Sequence, residues 1–512
     1  FCNSDEALPT LTTTSCPNSR PDAIPRYDYI FPPASALAVT DITWTGIDNP
    51  FGNFIARING DIIIPDGIDL VIDGDASIFP IIFEFGPNGR IIVEQGATLS
   101  LNKVIMRGDN DCGTMWQGIR IYNQKRSESA TNSLTITNST INDALIGVAT
   151  CKLPLYNIYT VGQELVSTPN ALQWGESFVP QLFSEIWSNV ARYTGGGNVS
   201  IIGSEFNNCF EGIDFSHQDG NLNVTSTDFK CNMVNGIAPY PLNQVATTFP
   251  ATFMPDIIGE AAISSVFRVQ SPYIVIIDDC QFDNWRFGVR TFNTSFRLRQ
   301  SQFYTCIIGT SFSSSLREST INNLVESCTY CCNQIGIQSK WASPRIAACN
   351  FERSCNEADG IDLGYCLFNY DFDNIGILLK ASDGFLVENN EWLITNDVNN
   401  DLGGVEYGII LQDNKSGKIH DNTFSFNDHS IYVLEKNGLV STCKNDFVAY
   451  TQDAIHVGIS ETDASNANYA AAPNTKHILG EHGNCFSDIP ALQRPAGNTF
   501  APWNTNNNNP VS

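Results

Sequence analysis

A right-handed parallel β-helix is the fold class this sequence predicts, and three observations predict it. A short unit recurs: Cys280-Gln-Phe-Asp-Asn-Trp-Arg-Phe-Gly288-Val-Arg is followed 21 residues later by Ser301-Gln-Phe-Tyr-Thr-Cys-Ile-Ile-Gly309-Thr-Ser. In that unit an aromatic or Ile precedes a Gly by six residues, as at Ile141–Gly147, Phe206–Gly212 and Tyr330–Gly336. Looser copies run Phe229–Gly236, Phe351–Gly360 and Phe368–Gly376. The Gly is usually followed by Ile or Val, as in Gly118-Ile119, Gly147-Val148, Gly360-Ile361, Gly376-Ile377 and Gly408-Ile409. Repeats of this length built from strand-forming residues and turns mark a solenoid.

A unit of 21–27 residues is too short for a helix pair but suits two or three short strands joined by bends. Stacked in register, such strands place each Phe, Tyr or Ile over its equivalent in the next coil. The Gly supplies a positive φ or room for close backbone approach. Asn207, Asn208, Asn232, Asn284, Asn333, Asn374 and Asn390 sit beside the turns, where Asn tolerates the left-handed region and bonds along a stack. The regular leucine spacing of leucine-rich repeats is absent.

In chain order, residues 1–40 are rich in Pro, Thr and Ser and read as a cap or wrapping segment. The solenoid spans 41–500, with roughly 12–15 coils and a length of about 60–70 Å at ~4.8 Å per coil. Ile64-Pro-Asp-Gly67-Ile-Asp-Leu70-Val-Ile72 recurs as Val93-Glu-Gln-Gly96-Ala-Thr-Leu99-Ser-Leu101, and its alternation predicts half-buried strands. The rhythm breaks at 151–198, with a short helix expected at 184–193, at 239–272 and at 459–483; these read as lateral insertions. Residues 501–512 read as a linker, and Phe1 as a mature or truncated start.

Only 16 % of residues are charged, and the net charge is −26. That balance argues against nucleic acid and anionic membranes as partners. No apolar run reaches membrane-spanning length, so membrane insertion is not expected. Sixteen Cys suggest an oxidising, extracellular compartment. Cys2 and Cys16 read as a local loop disulfide. Cys280, Cys328, Cys349 and Cys366 share one repeat position and read as an interior thiol ladder, because in-register neighbours point their Cβ vectors in parallel.

The most unusual cluster is Trp285, Arg286, Arg290, Arg297 and Arg299, which puts four of the chain's 28 basic residues within 14 positions. Arg beside an aromatic can hold an anionic sugar through paired hydrogen bonds and stacking, so these five are the candidate binding residues. Asp109 and Asp111 are candidate calcium ligands, with Asp371, Asp373 and Asn374 a second such group; both also suit turn caps. No other cofactor is expected. Asp278 and Asp279 end a strand, and their side chains are expected on opposite faces. None of the six His falls in a nucleophilic or metal motif.

Gly96-Ala-Thr-Leu-Ser-Leu, Met115-Trp-Gln-Gly-Ile-Arg-Ile, Ser139-Thr-Ile-Asn-Asp-Ala and the Asn/Cys-x-Phe…Gly-Ile units resemble the right-handed parallel β-helix repeats of the pectate-lyase-like superfamily. More narrowly they resemble long secreted β-helix proteins of Bacteroidota, which implies export, with a type IX route as one form of it. The resemblance covers about residues 58–500. It is specific for fold, while the fold hosts lyases, hydrolases, epimerases, adhesins and fibre proteins. The polygalacturonase-like branch would need an Asp pair followed by Gly-His-Gly; here Asp278-Asp279 has no such successor, and Arg297-Leu-Arg299 echoes the final motif only loosely. No catalytic residue is assigned. The expectation is therefore a secreted, non-catalytic rod, an adhesin or surface-appendage subunit that self-associates or binds carbohydrate at a cell surface. The alternatives are a lyase or hydrolase of an acidic polysaccharide, or a carbohydrate binder without turnover.

Overall fold

Strands of three to five residues, alternately apolar and polar, can bury one side only if the next coil supplies the same pattern in register. The computed structural model describes most of residues 40–458, together with Tyr29–Ile30, Ile478–His482 and Cys485–Phe486. The longer stretches outside the description within that span are 109–115, 124–132, 151–193, 232–258 and 353–373. The chain divides into two compact units, residues 1–290 and 291–512, with the division inside the strand Trp285–Phe292.

Each unit is a right-handed parallel β-helix whose coils contribute three strands, and equivalent strands pair in parallel to make three faces. In the first unit one coil runs Thr98–Asn102, Val104–Gly108, Gly118–Asn123. In the second unit one coil runs Ser295–Arg299, Gln302–Tyr304, Ile308–Ser313. First-face strands number 14 among the described residues, within the expected range of coils. The handedness follows from the right-handed twist of each strand, which lets a crossover return to a parallel neighbour in only one sense. Among the described residues there is no helix. The helix expected at 184–193 and the Cys2–Cys16 pair lie outside the described residues.

Inside, the repeat is legible residue by residue. On the first face of the first unit, Leu99, Leu134, Val199 and Leu222 follow one another in register, as do Leu101, Ile136, Ile201 and Val224; all are buried. On the second face the third residue of the repeat forms a column of rings. Phe206, Phe229 and Phe282 stack at 5.0 and 5.1 Å. In the second unit Phe303, Tyr330, Phe351, Trp392, Phe424 and Phe447 stack at 4.8, 5.2, 4.9, 4.3 and 5.1 Å.

These rings explain the glycine six residues later. A Cβ on Gly336 would stand 2.7 Å from the Gly376 carbonyl oxygen and 3.0 Å from the Phe351 ring. Glycine is therefore present for clearance, and the positive φ falls elsewhere, on turn residues such as Asn208 and Asn284. Small polar side chains line the interior of the bend between first and second faces. In the first unit Ser204 Oγ accepts from the Ser139 amide at 3.2 Å. In the second, Asn390, Asn422 and Asn445 pass side-chain hydrogen bonds of 3.0 and 2.9 Å from coil to coil. Cys280, Cys328 and Cys349 occupy the same kind of position as buried free thiols. Burial pushes the Cys280 thiol up to about 12, which leaves it inert at neutral pH. Cys366 is outside the described residues.

Two stretches read as insertions contain coil strands. Gly259–Val266 continues the third face of the first unit, with Ala261 and Ile263 in register with Glu211 and Ile213. Ile478–His482 continues the first face of the second unit. Both were hidden by the flanking irregular sequence, which carries no period of its own. Phe229→Ala would open a cavity in the ring column and lower stability by about 3–5 kcal/mol. A denaturant titration would read this as a lower midpoint with an unchanged slope.

Candidate functional site on the first face of the second unit

The five residues of the aromatic and basic cluster go to different environments. Trp285 is fully buried and donates from Nε1 to the Phe229 carbonyl at 3.1 Å, so its ring belongs to the interior rather than a binding surface. The sequence pattern hid this because Trp285 opens the third-face strand and points inward. Arg286 is almost buried, its guanidinium 5.5 Å from the Phe287 ring. Arg290 reaches Ser264 Oγ at 3.2 Å and the buried Glu211 at 3.3 Å. Arg297 and Arg299 stand exposed on the first face of the second unit. Asp109 and Asp111 lie outside the described residues. Among the described residues no group of three or more His, Cys, Asp or Glu is placed to hold a metal ion. Asp279 occupies a left-handed turn, where its Oδ2 accepts from Ser226 Oγ at 2.8 Å.

The first face of the second unit carries a group of polar side chains from three successive coils. Ser343–Ala347, Phe385–Glu388 and Ser416–His420 pair in register, Arg345 with Leu386 and Leu386 with Lys418, and likewise Ala347 with Glu388 and Glu388 with His420. Buried Ile346, Val387 and Ile419 anchor the three strands from inside, so the alternating residues must face out. Arg345 Nε donates to Glu388 Oε1 at 2.7 Å. Glu388 Oε2 lies 3.4 Å from His420 Nε2, and His420 Nδ1 lies 2.6 Å from Asp421 Oδ2. With Nδ1–H donated to Asp421, Nε2 faces Glu388 and can pass a proton to and from it. Arg345 and Lys418 set two cations beside this relay, both exposed.

These residues span 345–421 in the sequence, and no motif joins them. A signal was present: Arg345-Ile346, Val387-Glu388 and Lys418-Ile419-His420 each set polar residues beside one buried apolar anchor. Aligning strands by their buried positions brings the polar ones together.

A second group lies on the second face of the first unit. Asp228 and Lys230 pair at 2.9 Å, and Gln281 donates to Asp283 Oδ2 at 2.9 Å in the next coil. Burial pushes the Asp283 carboxyl up to about 6; Gln281 and Lys230 oppose the shift and Asp228 adds to it. Asp143, on the turn of an earlier coil, is likewise pushed up to about 6 by burial, against Asn208 and Arg107. Lys230 neutralises Asp228 here, so this group supplies carboxyl groups but no free cation.

No protein-family model matches the chain, and no curated protein matches it. Solved structures do. The periplasmic alginate epimerase AlgG is similar at 10 % identity and a TM-score of 0.36, over 85 % of this chain and 78 % of that one. A double mutant of the same epimerase gives 9 % and 0.38, over 85 % and 79 %. A mannuronic acid specific polysaccharide family 6 lyase from human gut microbiota gives 13 % and 0.32, over 88 % and 89 %. All are right-handed parallel β-helices. The comparison does not bear out the expectation of a non-catalytic adhesive rod: the similar solved structures are named as an epimerase and a polysaccharide lyase, and the likeness is one of fold. The expectation rested on missing linear motifs, and a solenoid assembles its surface groups from separate coils.

Because folded Asp283 holds its proton more tightly than the unfolded chain does, its contribution to stability falls as pH rises from about 4 to about 6. Asp283→Asn removes that dependence. Thermal midpoints at pH 4 and pH 7 would lie closer together in the variant than in the wild type.

Proposed function

We propose that this protein is a polysaccharide lyase acting on an acidic, uronate-containing glycan, with its site on the first face of the second unit. The observation that carries the reading is the row Arg345–Glu388–His420–Asp421 beside Lys418. β-Elimination from a uronate needs a cation to neutralise the carboxylate, which makes the neighbouring C–H acidic, and a base to take that proton. Arg345 and Lys418 supply the positive charge. His420 Nε2 takes the proton, Asp421 holds the ring in the tautomer that leaves Nε2 available, and Glu388 receives the proton onward. The C4–O bond breaks as the C4–C5 double bond forms, and the leaving oxygen takes a proton from water on this open face.

Work on such a polymer is extracellular or envelope work, because the substrate does not cross a membrane. Export, implied by the resemblance to secreted β-helix proteins, is part of the same proposal. Calcium at Asp109 and Asp111 plays no part in it.

Turnover on a panel of acidic and neutral polysaccharides, followed by ultraviolet absorbance of unsaturated uronates, tests the reading. Cleavage of an acidic polymer is expected, with His420→Ala slowing it by about 10²-fold or more. Absence of unsaturated product across the panel, or full activity in His420→Ala, would sink it.

A further inference from the structure

The outward residues of the central position of the first face form one unbroken column in the second unit. Arg297 is in register with Leu324, Leu324 with Arg345, Arg345 with Leu386, and Leu386 with Lys418. The three cations are exposed and the two leucines half-buried. Basic and apolar rungs therefore alternate over five successive coils, and the cations recur every second coil, about 9.6 Å apart at ~4.8 Å per coil.

This column differs from two charged groups of the first unit. Arg57 and Arg107 share the Glu84 carboxylate across adjacent coils at 2.8 and 2.6 Å, and Asp61 and Arg90 pair at 2.6 Å. Arg297 and Lys418, by contrast, have no polar partner among the described residues. Arg345 engages Glu388 through Nε alone, which leaves its terminal nitrogens to a ligand. In a chain of net charge −26, a basic column whose two end cations have no partner among the described residues is an exception that an anion would complete.

The geometry points to a linear acidic polysaccharide lying along the axis on which the coils stack, whose acidic groups recur on one side at two-coil intervals. This rests on the reading of this face as the glycan site and adds its register. One sugar ring of an extended chain advances by about the rise of one coil. In a twofold ribbon every second ring turns the same side to the protein. Acidic groups then meet Arg297, Arg345 and Lys418, and the intervening rings lay their apolar faces on Leu324 and Leu386. Nucleic acid fits poorly, because its phosphates recur far more closely than every second coil.

The test moves a charge without changing the total. Arg297→Leu combined with Leu324→Arg shifts one cation by one coil, and both sites are on the surface, so the interior is untouched. Lys418→Ser with Ser441→Lys does the same at the other end, since Lys418 and Ser441 are in register. Binding is read by affinity electrophoresis in gels containing a uronate homopolymer, in the His420→Ala background so that no polymer is consumed. Single-stranded DNA and a neutral glucan serve as comparison ligands, and circular dichroism checks folding. Each swap is expected to weaken binding about three- to fivefold. Unchanged affinity in both swaps, no retardation by the uronate polymer, or equal retardation by DNA would overturn the inference. Turnover with register-insensitive binding would reject the register and leave the lyase reading standing. Register-sensitive binding by a protein without turnover would do the reverse.

Discussion

Everything in this structure depends on one constraint: each coil must lie in register on the next. Parallel pairing fixes equivalent residues one above another, and the pleat sends alternate residues in and out. A ring at one level therefore requires a ring or large aliphatic group at the next. The run from Phe303 to Phe447 satisfies this over six levels with Phe, Tyr and Trp interchanged. The glycines that follow are a consequence, because the stacked rings and the neighbouring coil's carbonyl leave no volume for a Cβ. Tyr330 shows how a polar atom is admitted to the column: its hydroxyl lies 2.9 Å from Thr310 Oγ1, so burial leaves it satisfied.

The same register organises the surface. Residues far apart in sequence become neighbours if they hold equivalent positions, and several charged residues among those described use this to pair. Arg57, Glu84 and Arg107 come from three coils of the first unit and meet on its second face. Such pairs contribute little individually when exposed. The first face of the second unit departs from this pattern. Glu388 is shared between Arg345 and His420, while Arg297 and Lys418 have no ion pair among the described residues.

Buried polar groups mark the limits of the scheme. Burial raises Asp143 and Asp283 to about 6, and the coils around them offset this only in part. The thiols of Cys209 and Cys280 are pushed up to about 12 by the same cause. They behave as small apolar side chains at bends where other coils place Ser, Thr or Asn. The interchange is possible because the site asks for a small side chain able to accept or donate one weak bond to a neighbouring coil.

The sequence by itself determined the coil. The spacing of Phe282 and Gly288, of Phe303 and Gly309 and of Tyr330 and Gly336 encodes the ring column and the clearance beside it, and both are local properties of one repeat. The thiols at Cys280, Cys328 and Cys349 were legible for the same reason. Sequence proximity misled where it crossed a bend: Trp285 and Arg297 are twelve positions apart, yet Trp285 points into the interior and Arg297 out from a first face. The strand Gly259–Val266 was masked by irregular flanks. The group formed by Arg345, Glu388, His420 and Asp421, and the column from Arg297 to Lys418, were decided by tertiary structure. Turns of unequal length separate their strands, and only the pairing of coil on coil fixes which residue stands beside which.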